Sequence, residues 1–309
     1  MFTTREIFYT TAVPAGIALL ILFVAWRPWR RSRPVVRGHW GAPLAAGAAF
    51  ATAYALFDGE IPAWPPSQAR HWLFFIALAL TLLGVDDAMP SGWLRLADWL
   101  RSEVALLVSG VLVLCLFGSL LSADTWPSSI AARWVVGMTA ATHVAWVSAE
   151  RLSARLPRVA ASLVVFVFTS GVAAVTALSG SLVYGRLAGV LSVVAAVAAI
   201  VAMLTPAFTL SRGGVTVVVP LAVAILLLGY HLADPGVGIT NGALLLSSLL
   251  LPWLSRLPPL RRRRAWVRGT VAVVLALLPV TAAVARAGIA FRQAQRQDAA
   301  GLQALRTTG

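Results

Sequence analysis

Residues 190–204 read VLSVVAAVAAIVAML, fifteen consecutive positions without a charged side chain. They lie within a longer apolar segment over 185–205. A bilayer's hydrocarbon core is about 30 Å thick, and a helix needs roughly 20 mainly apolar residues to cross it. The segment therefore predicts a membrane-spanning helix with a lipid-facing surface, and the same pattern recurs along the chain.

The composition extends this prediction to the whole protein. Hydrophobic residues make up 59% of the chain and charged residues 12%, against about 45–50% and about 25% in soluble domains. No single globule of 309 residues can bury so much apolar surface, so it must face lipid. Alternation of polar and apolar residues, which an outer-membrane barrel requires, is absent. We therefore expect an all-α polytopic bundle of about 10 transmembrane helices.

The ten predicted spans form one domain, residues 1–286, followed by a short polar tail at 287–309 that we expect to be weakly helical. The predicted spans are 7–26, 41–57, 71–87, 104–121, 130–148, 159–180, 185–205, 214–233, 238–255 and 266–286. A single cysteine, Cys115, excludes an intramolecular disulfide and a cysteine-based metal site.

The orientation follows from the arginines, which supply every basic charge because the chain has no lysine. One set of alternate connections holds seventeen arginines and the other set four. Arginine-rich connections stay in the cytoplasm, so both termini are predicted outside a bacterial inner membrane. Arg286, at the end of the last span, and the tail together add four arginines on the outer side, whereas an odd number of spans would bring the tail inside. Nucleic acid is excluded as a partner because the arginines interrupt apolar segments and share no soluble face.

Two adjacent carboxylates, Asp86 and Asp87, end the third span on the cytoplasmic side, in LTLLGVDDAMPSG. Acids are mildly disfavoured at a helix C-terminus, so their position needs an explanation. One explanation is a solvated turn that includes Pro90 and Gly92. The other is a Mg²⁺ site, because Mg²⁺ binds through one or two carboxylates together with substrate phosphates. In that case the two aspartates are candidate catalytic and metal-binding residues.

Two arginine-rich segments are predicted to meet on the cytoplasmic face, RPWRRSRPVVRGHW and RLPPLRRRRAWVR. Such clusters attract anionic lipid headgroups by about 1 kcal/mol per residue, and the guanidinium group suits phosphate. Membrane lipids are thus the expected partners, and no feature identifies a protein partner. The candidate phosphate- or lipid-binding residues are Arg37, His39, Arg261, Arg262, Arg263 and Arg264.

His143 is the remaining polar residue of interest, because it lies within the fifth predicted span. An ionisable residue at membrane depth faces protein or water and suggests a function. A hydrogen bond to Thr139, Thr142 or Ser148 would also accommodate it. Both interpretations stay open at this level.

The order of these features resembles the polyprenyl-phosphate N-acetylhexosamine-1-phosphate transferase family. RPVVRGHWGAPLAAGAAF resembles its basic first cytoplasmic loop and the start of its second span, with Arg37, His39, Pro43 and Gly47 in the matching places. LLGVDD resembles its Gly-x-x-Asp-Asp signature and gives Gly84, Asp86 and Asp87. The resemblance implies a helical bundle, a polyprenyl phosphate substrate, a UDP-sugar donor and Mg²⁺.

The later signatures of that family are missing. Its Asn- and Asp-containing stretch would fall near THVAWVSAERLS, where Ser148 and Glu150 are the closest polar groups. Its Gly-Asp pair would fall near SRGG, where Arg212 replaces the acid. Its histidine-rich loop would match PPLRRRRAWVRG, which has no histidine. Mg²⁺-dependent phosphoryl transfer requires cation ligands that converge on one point, and two aspartates do not provide them.

Three functions remain, and the sequence does not decide whether the protein is an enzyme. The first is a divergent, catalytically lapsed relative of these transferases that binds anionic lipid at the cytoplasmic face. The second is a transporter or permease, which the Gly- and Pro-interrupted spans would suit. The third is a structural membrane subunit without catalysis, which the scarcity of polar residues inside the spans would suit.

Overall fold

The structure, a computed structural model, is helical throughout the part of the chain that it describes. It describes residues 8–26, 39–89, 98–122, 127–205, 208–210, 213–233, 236–261 and 263–307, with no strand among them. The helices are α1 (Val13–Trp26, preceded by a π-helical turn at Phe8–Ala12), α2 (Gly41–Asp58), α3 (Ala69–Ala88), α4 (Asp98–Ser122), α5 (Ser128–Ser153), α6 (Arg158–Leu178), α7 (Leu182–Leu204), α8 (Gly214–Leu232), α9 (Ile239–Leu250, extended by a 3₁₀ turn at Leu251–Arg256), α10 (Pro258–Arg261) and α11 (Ala265–Thr307).

Helix α8 lies at the centre of the bundle. It packs against helices α2 to α7 and against α9, and every residue from Gly214 to Leu226 is buried. A helix that is apolar on all sides has no polar face to turn outward, so it is stable in the middle of a bundle. Helices α2 to α7 and α9 surround α8, and consecutive helices form neighbouring pairs, such as α1 with α2 and α6 with α7.

Seven of the described helices are long and apolar enough to cross a membrane, namely α1, α3, α4, α6, α7, α8 and α11. Each overlaps a predicted span, which confirms the prediction of a multi-pass helical membrane bundle. Helices α2, α5 and α9 overlap the other three predicted spans but are less apolar or shorter. The total of about ten spans stays a prediction.

These three helices are less apolar or shorter for identifiable reasons. Helix α2 consists largely of alanine and glycine and is buried along most of its length, so protein neighbours replace lipid around it. Helix α5 carries Arg133 near its start and Glu150 and Arg151 near its end. Helix α9 has only 12 residues before its 3₁₀ extension begins.

The last helix is longer than any membrane requires. Helix α11 has 43 residues, which at about 1.5 Å per residue gives roughly 65 Å, about twice the thickness of a hydrocarbon core. It continues across residue 286 without interruption, so the predicted polar tail is a continuous extension of the last helix. Residues 289–297 of this extension are exposed on every side.

Contacts between distant residues identify the two ends of the bundle. At one end the start of α4 meets the ends of α3 and α5, and the starts of α2 and α8 meet the last turns of α3. We call this the basic end, because the described segment 151–158, with three arginines, lies at and just beyond the end of α5 there. At the opposite end, the end of α2 meets the start of α3 through Asp58, Arg70 and His71.

Candidate functional site

At the basic end, the side chain of Asp87 faces neighbouring helices and is not a solvated cap. It forms an ion pair with Arg101 from the first turn of α4. The same guanidinium forms a second ion pair with Glu150 from the last turn of α5. The carboxylates of Asp87 and Glu150 are 18% and 17% exposed, and Arg101 is 37% exposed. One arginine therefore joins the ends of α3, α4 and α5.

Two carboxylates around one guanidinium leave the cluster with one net negative charge when both are ionised. Glu150 lies beyond the predicted span 130–148. The pKa of Glu150 is raised to about 6, chiefly by its burial; Arg101 and Arg151 oppose this change, and the nearby Asp87 adds to it. The desolvation of a carboxylate disfavours its charged form, and a second negative charge has the same effect. Proton uptake by Glu150 would leave Asp87 and Arg101 as a neutral pair.

The raised pKa of Glu150 predicts a pH dependence of stability with a definite sign. The ordinary pKa of the group is 4.5, and its folded value is about 6. The folded state therefore binds the proton more tightly, and stability falls as the pH rises through this window. We expect Glu150→Gln to remove this decrease in the free energy of unfolding, which amounts to about 2 kcal/mol at most. Thermal unfolding in detergent between pH 4.5 and 7 measures this pH dependence of stability.

The matched control for this experiment is Glu103→Gln, because Glu103 is an exposed carboxylate on α4. Its pH profile should follow that of the wild type. A Glu150→Gln profile parallel to the wild type would show that Glu150 does not titrate in this window.

Next to this ion-pair cluster, three segments approach each other at backbone distance. A Cβ atom added at Gly84 of α3 would lie 2.7 Å from the carbonyl oxygen of Gly213 and 2.8 Å from Cβ of Pro43. Gly213 has φ = 71°, a conformation that favours glycine. Gly84 and Pro43 are positions that the sequence singled out by resemblance, and Gly213 belongs to SRGG. The structure thus brings together the starts of α2 and α8 and the last turns of α3.

A second surface at the basic end carries exposed arginines. Arg155, in the turn between α5 and α6, places its guanidinium carbon 5.4 Å from the ring centre of Trp253. We use the name arginine patch for the exposed arginines at the junction of α5 and α6 and just before α11, and its members are Arg151, Arg155, Arg158, Arg263 and Arg264. Gly269 of α11 lies against Pro157 of the same turn, which brings the start of α11 to this surface. Trp266, in the first turn of α11, is 66% exposed.

The predicted phosphate-binding residues are only partly described. Arg37 and Arg262 lie outside the described residues, and so does the side chain of Arg261. His39 precedes α2, which packs against α1, α3, α7 and α8, whereas α11 packs against α6, α9 and the 3₁₀ turn. His39 and the pair Arg263 and Arg264 are therefore attached to different sides of the bundle.

The carboxylates at the basic end do not fit Mg²⁺. Among the residues that the structure describes, no group of three or more His, Cys, Asp or Glu side chains could hold a metal ion. Asp87 and Glu150 both face Arg101, whose positive charge would repel a cation. Asp86 is partly buried on the same turn of α3 and adds at most one further carboxylate. We therefore derive no metal-dependent step from this site.

His143 lies partly buried on α5. Its Nδ1 atom is buried and has no hydrogen-bond partner among the described residues. Thr142, one of the residues proposed to accommodate it, donates instead to the backbone carbonyl of Met138, at 2.8 Å. The structure therefore gives His143 no part in the cluster around Arg101.

Sequence reasoning missed the two residues that complete the ion-pair cluster, Arg101 and Glu150. Both lie just outside predicted spans, 104–121 and 130–148, where a solvated position is the common expectation. One signal could have indicated the cluster. The predicted topology places Arg101 and Glu150 on the same side of the membrane as Asp87. The rotation of α4 and α5 about their axes decides whether these residues meet, and the sequence does not give it.

No family model, curated protein or solved structure matches this chain. The resemblance to the sugar-1-phosphate transferases stays a prediction, carried by its first signature alone.

Proposed function

We propose that this chain is a protein of a bacterial cytoplasmic membrane with ten membrane-spanning helices, that it binds anionic lipid headgroups at its basic end and that it catalyses no transfer. Under this proposal the basic end faces the cytoplasm, as the arginine asymmetry predicts, and both termini lie outside. Helices α2, α5 and α9 then cross the membrane together with the seven more apolar helices. The protein would be a divergent, catalytically lapsed relative of the transferases that it resembles.

The observation that carries this proposal is the arginine patch. Four of its members, Arg155, Arg158, Arg263 and Arg264, form no ion pair with a carboxylate in the described part of the chain. Arg155 is held against Trp253, and stacking of this kind orders a guanidinium while leaving its N–H groups available. The exposed ring of Trp266 is typical of a residue at the headgroup level. Together these groups suit a lipid phosphate at a membrane surface.

The ion-pair cluster supports the absence of transfer chemistry. Phosphoryl transfer needs positive charge directed at the transferring group. Here Arg101 is engaged by two carboxylates of its own protein. With Mg²⁺ and a UDP-sugar we expect no sugar-phosphate product on polyprenyl phosphate. Product formation that disappears in Asp87→Asn would contradict the proposal.

The centre of the bundle supports binding over transport. Transport of ions or protons generally requires polar or charged groups along a path through the membrane. Helix α8 is surrounded by other helices and buried from Gly214 to Leu226, and its buried surface is almost entirely aliphatic. An apolar bundle centre of this kind offers no polar path for ions or protons, and it therefore favours a binding function over transport.

Lipid binding by purified protein tests the proposal. Each arginine near an anionic surface contributes about 1 kcal/mol, so Arg155→Gln combined with Arg158→Gln and Arg263→Gln should weaken binding about 100-fold. Native mass spectrometry of the protein titrated with phosphatidylglycerol, polyprenyl phosphate or phosphatidylethanolamine measures this. Tighter binding of polyprenyl phosphate than of phosphatidylglycerol would identify the isoprenoid chain as part of the ligand.

The matched control removes three arginines elsewhere, Arg133, Arg292 and Arg296, all exposed. This variant loses the same charge and should bind phosphatidylglycerol as the wild type does. If both triple variants lose affinity equally, net charge explains binding and the arginine patch is not the site.

A further inference from the structure

Helices α6 and α11 lie side by side and run in the same direction, with both N-termini at the basic end. There, a Cβ atom added at Gly269 of α11 would lie 3.0 Å from Cβ of Ala160 in α6. Eleven residues further along each helix, a Cβ atom added at Gly171 would lie 2.7 Å from a methyl carbon of Val280. The two helices are therefore parallel and in contact over about three turns, and their first turns meet at the surface that carries the arginine patch.

The N-cap residues of both helices have side chains that cannot accept a hydrogen bond. The N-cap residue of α6 is Pro157. In α11 the N–H of Arg268 donates to the carbonyl oxygen of Arg264, at 3.3 Å, and an arginine side chain has no acceptor atom. The first N–H groups of a helix have no partner within that helix. Two sets of backbone donors therefore lie side by side at the basic end.

The charged side chains at these N-termini have the sign that a helix start disfavours. A helix N-terminus carries partial positive charge, which acidic side chains complement and basic ones oppose. Neither α6 nor α11 has an acidic residue in its first turn. Instead α6 begins with Arg158, while Arg263 and Arg264 precede α11 and Arg268 lies in its first turn. These arginines and the two helix ends repel one another unless an anion lies between them.

The described part of the protein supplies no such anion. Four members of the arginine patch form no ion pair with a carboxylate there, and the buried Nε of Arg268 has no hydrogen-bond acceptor. Glu150, at the end of α5, pairs with Arg101 instead. Backbone N–H groups at a helix start, together with guanidinium groups, are well suited to phosphate. The anion that this surface lacks is therefore expected to come from a ligand.

The two N-termini suit two phosphates on one molecule. The axes of packed helices lie about 8–10 Å apart, so each helix start has room for a phosphate of its own. A headgroup that joins two phosphates through a glycerol bridge holds them at a comparable separation. Once the first phosphate is bound, the second binds at the high effective concentration that a short linker provides. The exposed ring of Trp266, in the first turn of α11, is typical of the headgroup level and favours a lipid over a soluble ligand.

We propose that the arginine patch binds a phospholipid whose headgroup carries two phosphate groups, as that of cardiolipin does. One phosphate lies at the start of α6 with Arg155 and Arg158, and the other at the start of α11 with Arg263 and Arg264. This inference rests on the lipid binding proposed above and adds the class of lipid. Each phosphate neutralises one helix end, so the bound lipid also stabilises the parallel pair of helices.

Native mass spectrometry of the purified full-length protein with cardiolipin or phosphatidylglycerol tests the proposal. Lipids that stay bound to a variant with all four arginines changed to glutamine are counted as background. Above it we expect one cardiolipin or two phosphatidylglycerols, with cardiolipin bound about tenfold more tightly or better. Arg155→Gln with Arg158→Gln should retain one phosphatidylglycerol and weaken cardiolipin binding about 30-fold, the loss expected for two arginines. Arg263→Gln with Arg264→Gln should do the same. The control, Arg292→Gln with Arg296→Gln on the exposed part of α11, should change neither result.

The possible failures separate this inference from the proposed function. If neither lipid binds the wild type above background, the proposed lipid binding fails and this inference fails with it. If phosphatidylglycerol binds at the patch and cardiolipin binds no more tightly, only the two-phosphate ligand is excluded. Loss of cardiolipin in one double variant alone would contradict the placement of one phosphate at each helix. Deacylated cardiolipin keeps both phosphates without acyl chains, and competition by it as strong as that by cardiolipin would exclude a lipid as the ligand.

Discussion

Arg101→Ala is expected to lower the stability of the bundle by about 1–3 kcal/mol. The substitution leaves Asp87 and Glu150 together, each less than one-fifth exposed, without the cation that both face. Removal of one partner from a fully buried ion pair costs about 3–5 kcal/mol, because a charge stays buried without compensation. The loss here is smaller, because Arg101 is 37% exposed and water can replace part of its contribution. The apparent Tm in detergent near pH 7.5 measures the effect.

Two companion variants separate charge from packing. Arg101→Gln combined with Asp87→Asn and Glu150→Gln keeps the side-chain volumes nearly unchanged and removes all three charges. We expect this triple variant to be more stable than Arg101→Ala, because no ionised group stays unpaired. Arg158→Ala, at an exposed arginine near the same end, should leave the Tm unchanged. A triple variant as unstable as Arg101→Ala would show that the ion pairs do not account for the loss.

Gly84→Ala is expected to destabilise the protein by about 1–3 kcal/mol, the usual cost of overpacking a filled core. Helix propensity alone predicts that Gly84→Ala stabilises the protein, because alanine is more favourable than glycine in a helix by about 1 kcal/mol. The new Cβ would lie 2.7 Å from a backbone carbonyl oxygen of Gly213. Backbone atoms cannot rotate away, so α3 or the start of α8 must move. The sign of the change in apparent Tm therefore distinguishes close packing from helix propensity.

Gly189→Ala is the matched control for this prediction. Gly189 also lies within a helix, α7, but a Cβ atom there would have no neighbour within 4 Å. Helix propensity should then act alone and raise the Tm slightly. Stabilisation by Gly84→Ala as large as that by Gly189→Ala would mean that α2, α3 and α8 are not in close contact at Gly84.

The described part of the structure confirms much of what hydropathy predicted and adds the pairings between helices. Seven apolar helices lie where spans were predicted. Glu150, which lies beyond a predicted span, is mostly buried against Arg101. The Nδ1 atom of His143 has no hydrogen-bond partner among the described residues, so none of Thr139, Thr142 and Ser148 bonds to that atom. Both outcomes depend on the rotation of a helix about its axis, which decides which residues face its neighbours.

The sequence by itself determined that this is a helical membrane protein and which residues cluster near the ends of its helices. Hydropathy and charge act locally along the chain, because each segment exchanges water for lipid largely on its own. Only the tertiary structure decided that Asp87 meets Arg101 and Glu150 and that Gly84 meets Gly213. Helices that are apolar on nearly every side carry no stripe to mark the packed face. Their order and rotation follow from the fit of small residues and a few polar contacts, which form only once the helices are assembled.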